Sequence, residues 1–195
     1  HRNWWGWNPL HHPTRTEDKL ISKYPTMDEF LRVFTEGDFD ESYIDDIYSI
    51  NQDNVPEVGS LNSLDQQRKL LSISSYHSIL LEDDELIGFA ICFRESRPYW
   101  SENYKYFENK LDQFLYVDRI AIRNEYRRQG HAKRMYENIF NFANQDELTV
   151  TAEVNTKPAN QGSIRFHEYM GFKEVGVRSF DDHDVAYFET NQSEK

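Results

Sequence analysis

The chain has 195 residues, of which 38% are apolar and 15% aromatic, so a domain-sized core can form and a disordered chain is excluded. Its net charge of −12 argues against a protein that grips nucleic acid through a broad basic face, and equally against docking on an anionic membrane. No apolar run approaches the roughly 18 residues of a membrane span, and residues 1–20 lack the apolar core of a signal peptide, so a cytoplasmic location is expected.

The single cysteine, Cys92, has no internal disulfide partner and lies in the apolar run Leu86–Phe93, where it reads as a small core residue. No Cys/His spacing suits a metal, and no metal is expected; His11–His12 is a bare pair in a polar segment. Residues 1–28 hold Trp4, Trp5, Trp7, three prolines and three histidines without a helical or strand period. They read as an extension before a domain over residues 29–190, which residues 191–195 follow as a tail.

Within the domain, Phe30–Phe34 reads as a first strand. Asp40–Asn51 reads as a helix with Tyr43, Ile44, Ile47, Tyr48 and Ile50 near one face. Val55–Ser60 is a loop with Pro56 and Gly59, and Leu61–Ile73 a second helix. Ser78–Leu81 and Glu85–Arg94 form a hairpin across the acidic turn Glu82–Asp84. Residues 95–113 are polar yet rich in aromatics, and read as an inserted loop or short helix. Phe114–Ile122 is a strand, Gly130–Asn144 a helix, Leu148–Val154 a strand and Gly162–Met170 a helix. Lys173–Val177 and Val185–Glu189 are the last strands.

The chemistry concentrates in Arg123–Arg134, RNEYRRQGHAKR, which follows a strand and opens an amphipathic helix carrying Ala132, Met135, Tyr136, Ile139, Phe140 and Ala143 at helical spacing. Gly130 permits close backbone approach, and a helix N-terminus presents N–H groups to an anion. Arg123, Arg127, Arg128, Lys133 and Arg134 gather there in an otherwise acidic chain. The Gly-Lys-Ser/Thr of a P-loop and the three glycines of a dinucleotide fingerprint are both missing.

Arg127-Arg128-Gln129-Gly130-His131-Ala132 resembles the Arg/Gln-x-x-Gly-x-Gly/Ala signature of the GNAT acetyltransferases. Ile120-Ala121-Ile122 is similar to the strand end that meets the pantetheine arm in that family. Asn160-Gln161-Gly162-Ser163, Phe166-His167 and Gly171-Phe172 resemble its second block. The resemblance covers about residues 30–190. It implies an α/β fold, a mixed and mostly antiparallel sheet of six or seven strands with helices on both faces. It also implies acetyl-CoA as co-substrate, bound by Ile120–Ile122, Arg127–Ala132, Asn160, Ser163, Phe166 and His167, and an N-acetyltransferase acting by direct attack of an amine. His167 stands where the family often has a proton-donating Tyr. At a pKa near 6.5 it is mostly unprotonated at neutral pH, so it either donates the proton or only orients CoA. Lys157-Pro158 lengthens the neighbouring loop by about two residues over the usual family spacing.

The acceptor amine must lose a proton before attack, and a carboxylate can take it. Asp118 is the first candidate and Glu153 the second. By period two, Tyr116, Asp118, Ile120 and Ile122 are expected on one face. Each carboxylate could instead form an ion pair. The aromatic stretch places Tyr99, Trp100 and Tyr104, with Tyr116, beside the acceptor, or else over a sheet edge or in a homodimer contact. The expected acceptor is a small-molecule primary amine, an amino-acid-like compound or an amine metabolite. The alternatives are a peptide or protein N-acetyltransferase and a non-catalytic acyl-CoA-binding module.

Overall fold

The computed structural model describes residues 30–190, so the readings of residues 1–28 and 191–195 lie outside the described residues. One seven-stranded sheet runs through the described residues in the order β1-β2-β3-β4-β5-β7-β6. Its strands are β1 (Leu31–Thr35), β2 (Tyr76–Glu82), β3 (Glu85–Arg94), β4 (Phe114–Ile122), β5 (Thr149–Lys157), β6 (Phe172–Ser179) and β7 (Asp184–Thr190). The pair β4–β5 is parallel and the other neighbours are antiparallel, the mixed sheet expected from the sequence.

The helices are α1 (Ile44–Asp53), α2 (Leu64–Ile73), α3 (Glu102–Glu108), α4 (His131–Gln145) and α5 (Gln161–Tyr169). In α1, Ile44, Ile47, Ile50 and Asn51 recur at three to four residues and form the buried stripe. The helix α2 begins three residues later than its periodicity suggests, because the Ser63 side chain accepts from the Gln66 N–H and caps the first turn. In α4, Met135, Tyr136, Ile139 and Ala143 are buried, as the heptad-like spacing predicts. The strand β5 extends three residues past its expected end at Val154, through Lys157.

Two cores lie on opposite faces of the sheet. One holds Ile47, Leu70, Phe89, Phe93, Phe107 and Tyr116 under α1, α2 and α3. The other holds Cys92, Leu115, Met135, Tyr136, Val154 and Phe188 under α4 and α5. Cys92 is a fully buried core residue there.

The insert 95–113 contains α3, capped by Ser101, whose side chain accepts from the Tyr104 N–H. Its rings divide. Tyr104 and Phe107 are fully buried, and Tyr106 stacks on Tyr187 at 3.8 Å. The Tyr104 hydroxyl donates to the Arg94 carbonyl at 2.8 Å and accepts from the Arg97 N–H at 2.9 Å. This corrects the expectation that Tyr104 lines an acceptor pocket: its hydroxyl is spent on backbone groups and its ring fills the core. Trp100 is 44% exposed, with the Lys69 ammonium of α2 5.4 Å from its ring centre.

Tyr104→Ala is therefore expected to cost about 3–5 kcal/mol, the usual penalty for emptying a buried aromatic site. Tyr104→Phe should cost only about 1–2 kcal/mol, for the two hydrogen bonds. Urea unfolding midpoints of the two variants check this order.

Candidate active site

The parallel register of β4 and β5 runs from Phe114↔Thr149 to Tyr116↔Thr151 and stops there. Past that point β4 stays with β3 as far as Ile122, while β5 stays with β7 as far as Lys157. The two central strands thus part, and among the described residues the edge of β4 that faces β5 has no strand partner from Val117 onward.

A β-bulge sits at the fork. Ile91 faces Arg119 and Cys92 faces Val117, so Asp118 is the extra residue. The bulge resets the alternation of β4. Tyr116 belongs to the core under α1–α3, whereas Ile120 and Ile122 belong to the core under α4 and α5. The expectation that Tyr116, Asp118, Ile120 and Ile122 share one face is corrected on this ground. Ala121 falls on the Tyr116 side instead.

Asp118 is held from two sides. Its Oδ1 accepts from the Tyr99 hydroxyl at 2.5 Å, and its Oδ2 takes the Arg119 Nε at 2.7 Å. Both partners of this ion pair are buried, with side-chain exposures of 5% and 7%. Arg119 Nη1 also donates to Asn51 Oδ1 at 2.7 Å and to the Gly59 carbonyl at 3.1 Å. Asn51 donates in turn to Gly59, and Asn155 of β5 donates to the Pro56 carbonyl at 3.1 Å. The loop between α1 and α2 is thereby tied to both diverging strands.

Glu153 lies on the same face of β5 as Thr151, and it is solvated differently. Its Oε1 accepts a long 3.3 Å bond from Asn103 of α3, whose Oδ1 accepts from the Tyr187 hydroxyl. Its Oε2 is buried without a hydrogen-bond partner. Burial and then the neighbouring Asp118 charge push its pKa from 4.5 up to about 8. The Tyr116 hydroxyl is near enough to lower that value slightly, yet it too makes no hydrogen bond of good geometry.

His167 stands on α5 among Phe166, Phe172 and Phe188. Its Nδ1 is 2.8 Å from the Ser163 carbonyl, which can only accept, so Nδ1 carries the proton. Nε2 then accepts from the Tyr136 hydroxyl at 2.8 Å. Neither ring nitrogen is free, and burial lowers the pKa further below its ordinary value.

The basic loop is built from left-handed residues. Arg128 has φ +61° and Gly130 φ +82°, so the backbone turns twice before α4 begins. No side chain caps α4, and a Cβ built at Gly130 would meet open space. These features leave the first N–H groups of α4 free to face a phosphate. Gln129 braces the loop by donating to the Glu125 carbonyl, and Ala132 packs toward the core. His131 is buried with Nε2 unpartnered. Arg128 is exposed. Arg123 and Arg127 are used elsewhere. Arg123 pairs with Asp46 and Glu85, and Arg127 donates to Asn54 and lies 3.5 Å from the Ile122 carbonyl. At α5, Asn160 is the cap, its Oδ1 accepting from the Ser163 N–H at 3.2 Å.

The structure therefore brings Tyr99, Tyr116, Asp118 and Glu153 together at the fork, and leaves Trp100 on the α2 side of the insert. Sequence reading missed Asn51, Asn103 and Arg119. Arg119 had a signal, since it is a cation inside the apolar strand FLYVDRIAI; the asparagines had none. Among the described residues no group of His, Cys, Asp or Glu is placed to hold a metal ion, and no helix is long and apolar enough to cross a membrane.

The sequence profile of the acetyltransferase (GNAT) family matches residues 40–172. No curated protein matches the chain by sequence. Solved structures show the same fold at low identity. A subunit of the NatC complex, bound to Gag peptide and CoA, superposes with a TM-score of 0.60 at 15% identity, over 82% of this chain and 97% of that one. The ribosomal-protein-S18-alanine N-acetyltransferase of Escherichia coli gives 0.59 at 16% identity, over 82% and 92%. An N-acetyltransferase from Staphylococcus aureus gives 0.59 at 18% identity, over 84% and 99%. With the family profile spanning well over half of the chain, the protein belongs to the GNAT family and is an acetyl-CoA-dependent N-acetyltransferase.

Proposed function

We propose that the fork between β4 and β5 is the transfer centre for a small-molecule primary amine, with Glu153 as the base that deprotonates it. The observation that carries this reading is a buried carboxyl with one oxygen unpaired, beside the unpaired edge of β4. Acetyl-CoA supplies the thioester, with its pyrophosphate over Gly130 and the start of α4 and its arm along the free edge of Ile120–Ile122. An alkyl ammonium has a pKa near 10, so a base tuned toward 8 takes its proton better than an ordinary carboxylate would. The nitrogen–carbon bond then forms as the carbon–sulfur bond breaks; CoA leaves as its thiolate, and the surplus proton on the new amide nitrogen passes to that thiolate.

Asp118, the first candidate from sequence, takes a different role in this reading. Both its oxygens are engaged and its charge is matched by Arg119, so it positions the bulge and raises the pKa of Glu153. His167 and Tyr136 join α5 to α4 under the site. His167 has no proton to spare for the leaving thiolate, so it orients the helices that hold CoA. The Asn155–Pro56 hydrogen bond, which ties the α1–α2 loop to β5 beside the fork, supports a small acceptor over a peptide.

Gly130→Asp is expected to weaken CoA binding at least a hundredfold by calorimetry. The new carboxylate adds charge where phosphate must sit and occupies a positive-φ position that Gly tolerates best. Unchanged affinity would remove the loop from the cofactor site.

Glu153→Gln and Asp118→Asn separate the two carboxylates. Glu153→Gln should lower kcat by about 10²–10⁴, the range for loss of a general base. It should also change stability with a defined sign. Below pH 4.5 Glu153 is protonated in both the folded and the unfolded chain. Between 4.5 and about 8 only the folded chain keeps the proton, so the wild type loses stability across that window. The Gln variant should match the wild type in acid and melt higher at pH 8 and above. Asp118→Asn leaves the buried Arg119 charge uncompensated and should cost about 3–5 kcal/mol of stability. Thermal melts at pH 4 and pH 8 beside steady-state rates check both. A rate at pH 8 unaffected by Glu153→Gln would refute its role.

A further inference from the structure

The fork is better matched to one chemical kind of amine than to others. Among the described residues, three buried side-chain oxygens on its α3 face make no hydrogen bond of good geometry: Tyr116 Oη and Thr151 Oγ1, on residues paired in the last register, and Glu153 Oε2, two residues further on β5 and near the Tyr116 hydroxyl. Buried oxygens left unpaired are costly, and a bound ligand that donates to them would offset that cost. An alkyl ammonium brings three N–H donors and no acceptor, as the lysine side chain does.

The cations around the fork are already committed. Arg119, next to Asp118 at the bulge, spends Nε on Asp118 and Nη1 on Asn51 and the Gly59 carbonyl. Arg178, which reaches Tyr187 from β6, pairs with Glu102 and stacks on Phe180. Among the described residues, no other guanidinium or ammonium pairs with this cluster. A carboxylate on the carbon bearing the amine would be buried beside Asp118 and Glu153 with nothing to balance it. The rings of Tyr99 and Tyr116 beside the cluster offer an alkyl chain an apolar neighbour instead.

We propose that the acceptor is a slender alkyl amine, a monoamine or diamine, with no carboxylate next to the reacting nitrogen, and that Glu153 and Tyr116 bind its ammonium. This narrows the amino-acid-like acceptor expected from the sequence, and it rests on the reading of Glu153 as the base.

The test is a matched acceptor series with the wild-type protein and acetyl-CoA at pH 8, read as CoA release: butylamine, norvalinamide, norvaline and a neutral tripeptide with a free N-terminus. Norvaline is butylamine with a carboxylate on the reacting carbon, and norvalinamide carries a neutral group of the same size there. Butylamine should exceed norvaline at least a hundredfold in kcat/KM, with norvalinamide between them. Norvaline equal to or better than butylamine, or no turnover of butylamine, overturns the proposal. A tripeptide used tenfold better than butylamine overturns it in favour of a peptide acceptor. Tyr116→Phe supplies a second measure, because it removes only the orphan hydroxyl. It should raise KM for butylamine at least fivefold and leave KM for acetyl-CoA unchanged; an unchanged butylamine KM contradicts the assignment. Glu153→Gln, measured with whichever acceptor reacts fastest, tells the two ideas apart. If that variant is slow while norvaline wins the series, the base assignment stands and the acceptor class fails.

Discussion

The separation of β4 from β5 after Tyr116 and Thr151 is the constraint on which the rest of the site depends. Each strand satisfies its outer neighbour instead. β4 follows β3, β5 follows β7, and the bulge at Asp118 absorbs the change of direction in β4. A fully paired sheet would leave no free backbone edge for a ligand and no room for one. Parted strands leave that edge unpaired at mid-sheet, with helices packed on both faces. The opening is braced by polar side chains. Arg119, Asn51 and Gly59 tie one strand to the α1–α2 loop, and Asn155 and Pro56 tie the other.

That geometry forces a division of labour between two buried carboxyls. Taking a carboxylate out of water costs several kcal/mol unless a counter-charge meets it. Among the described residues, the cation that pairs at the fork is Arg119, and it pairs with Asp118. Glu153 therefore resolves its burial by keeping a proton, which the Asp118 charge reinforces. In the proposed reading, the same arrangement that holds the bulge in place also tunes the base, and it links the proton affinity of Glu153 to the stability of the fork through one ion pair.

Much of this was legible in the sequence. The helical stripes of α1 and α4, the hairpin β2–β3 and the strand FLYVDRIAI follow from periodicity, and the Gly130 turn from its place between strand and helix. Three things were not legible. The bulge inserts one residue without any glycine or proline to mark it, so the alternation rule put Tyr116 and Ile120 on one face when the structure puts them on two. Tyr104 reads like a pocket aromatic because its segment is polar; its core position depends on hydrogen bonds to Arg94 and Arg97, which sequence spacing does not reveal. The proposal ranks Glu153 above Asp118 because Arg119 is adjacent to Asp118 in sequence and, through the bulge, also in space. A neighbouring cation on a regular strand would have pointed to the opposite face.

The central claim is that Glu153 is a buried acid poised near neutrality, while Asp118 is held as a paired carboxylate. Carbon-13 NMR of the side-chain carboxyls, assigned with Glu153→Gln and followed from pH 4 to pH 10, measures this directly. The account predicts a Glu153 midpoint near 8, moving downward in Asp118→Asn as the neighbouring negative charge is removed. A midpoint near the ordinary 4.5, unmoved by that substitution, would contradict it.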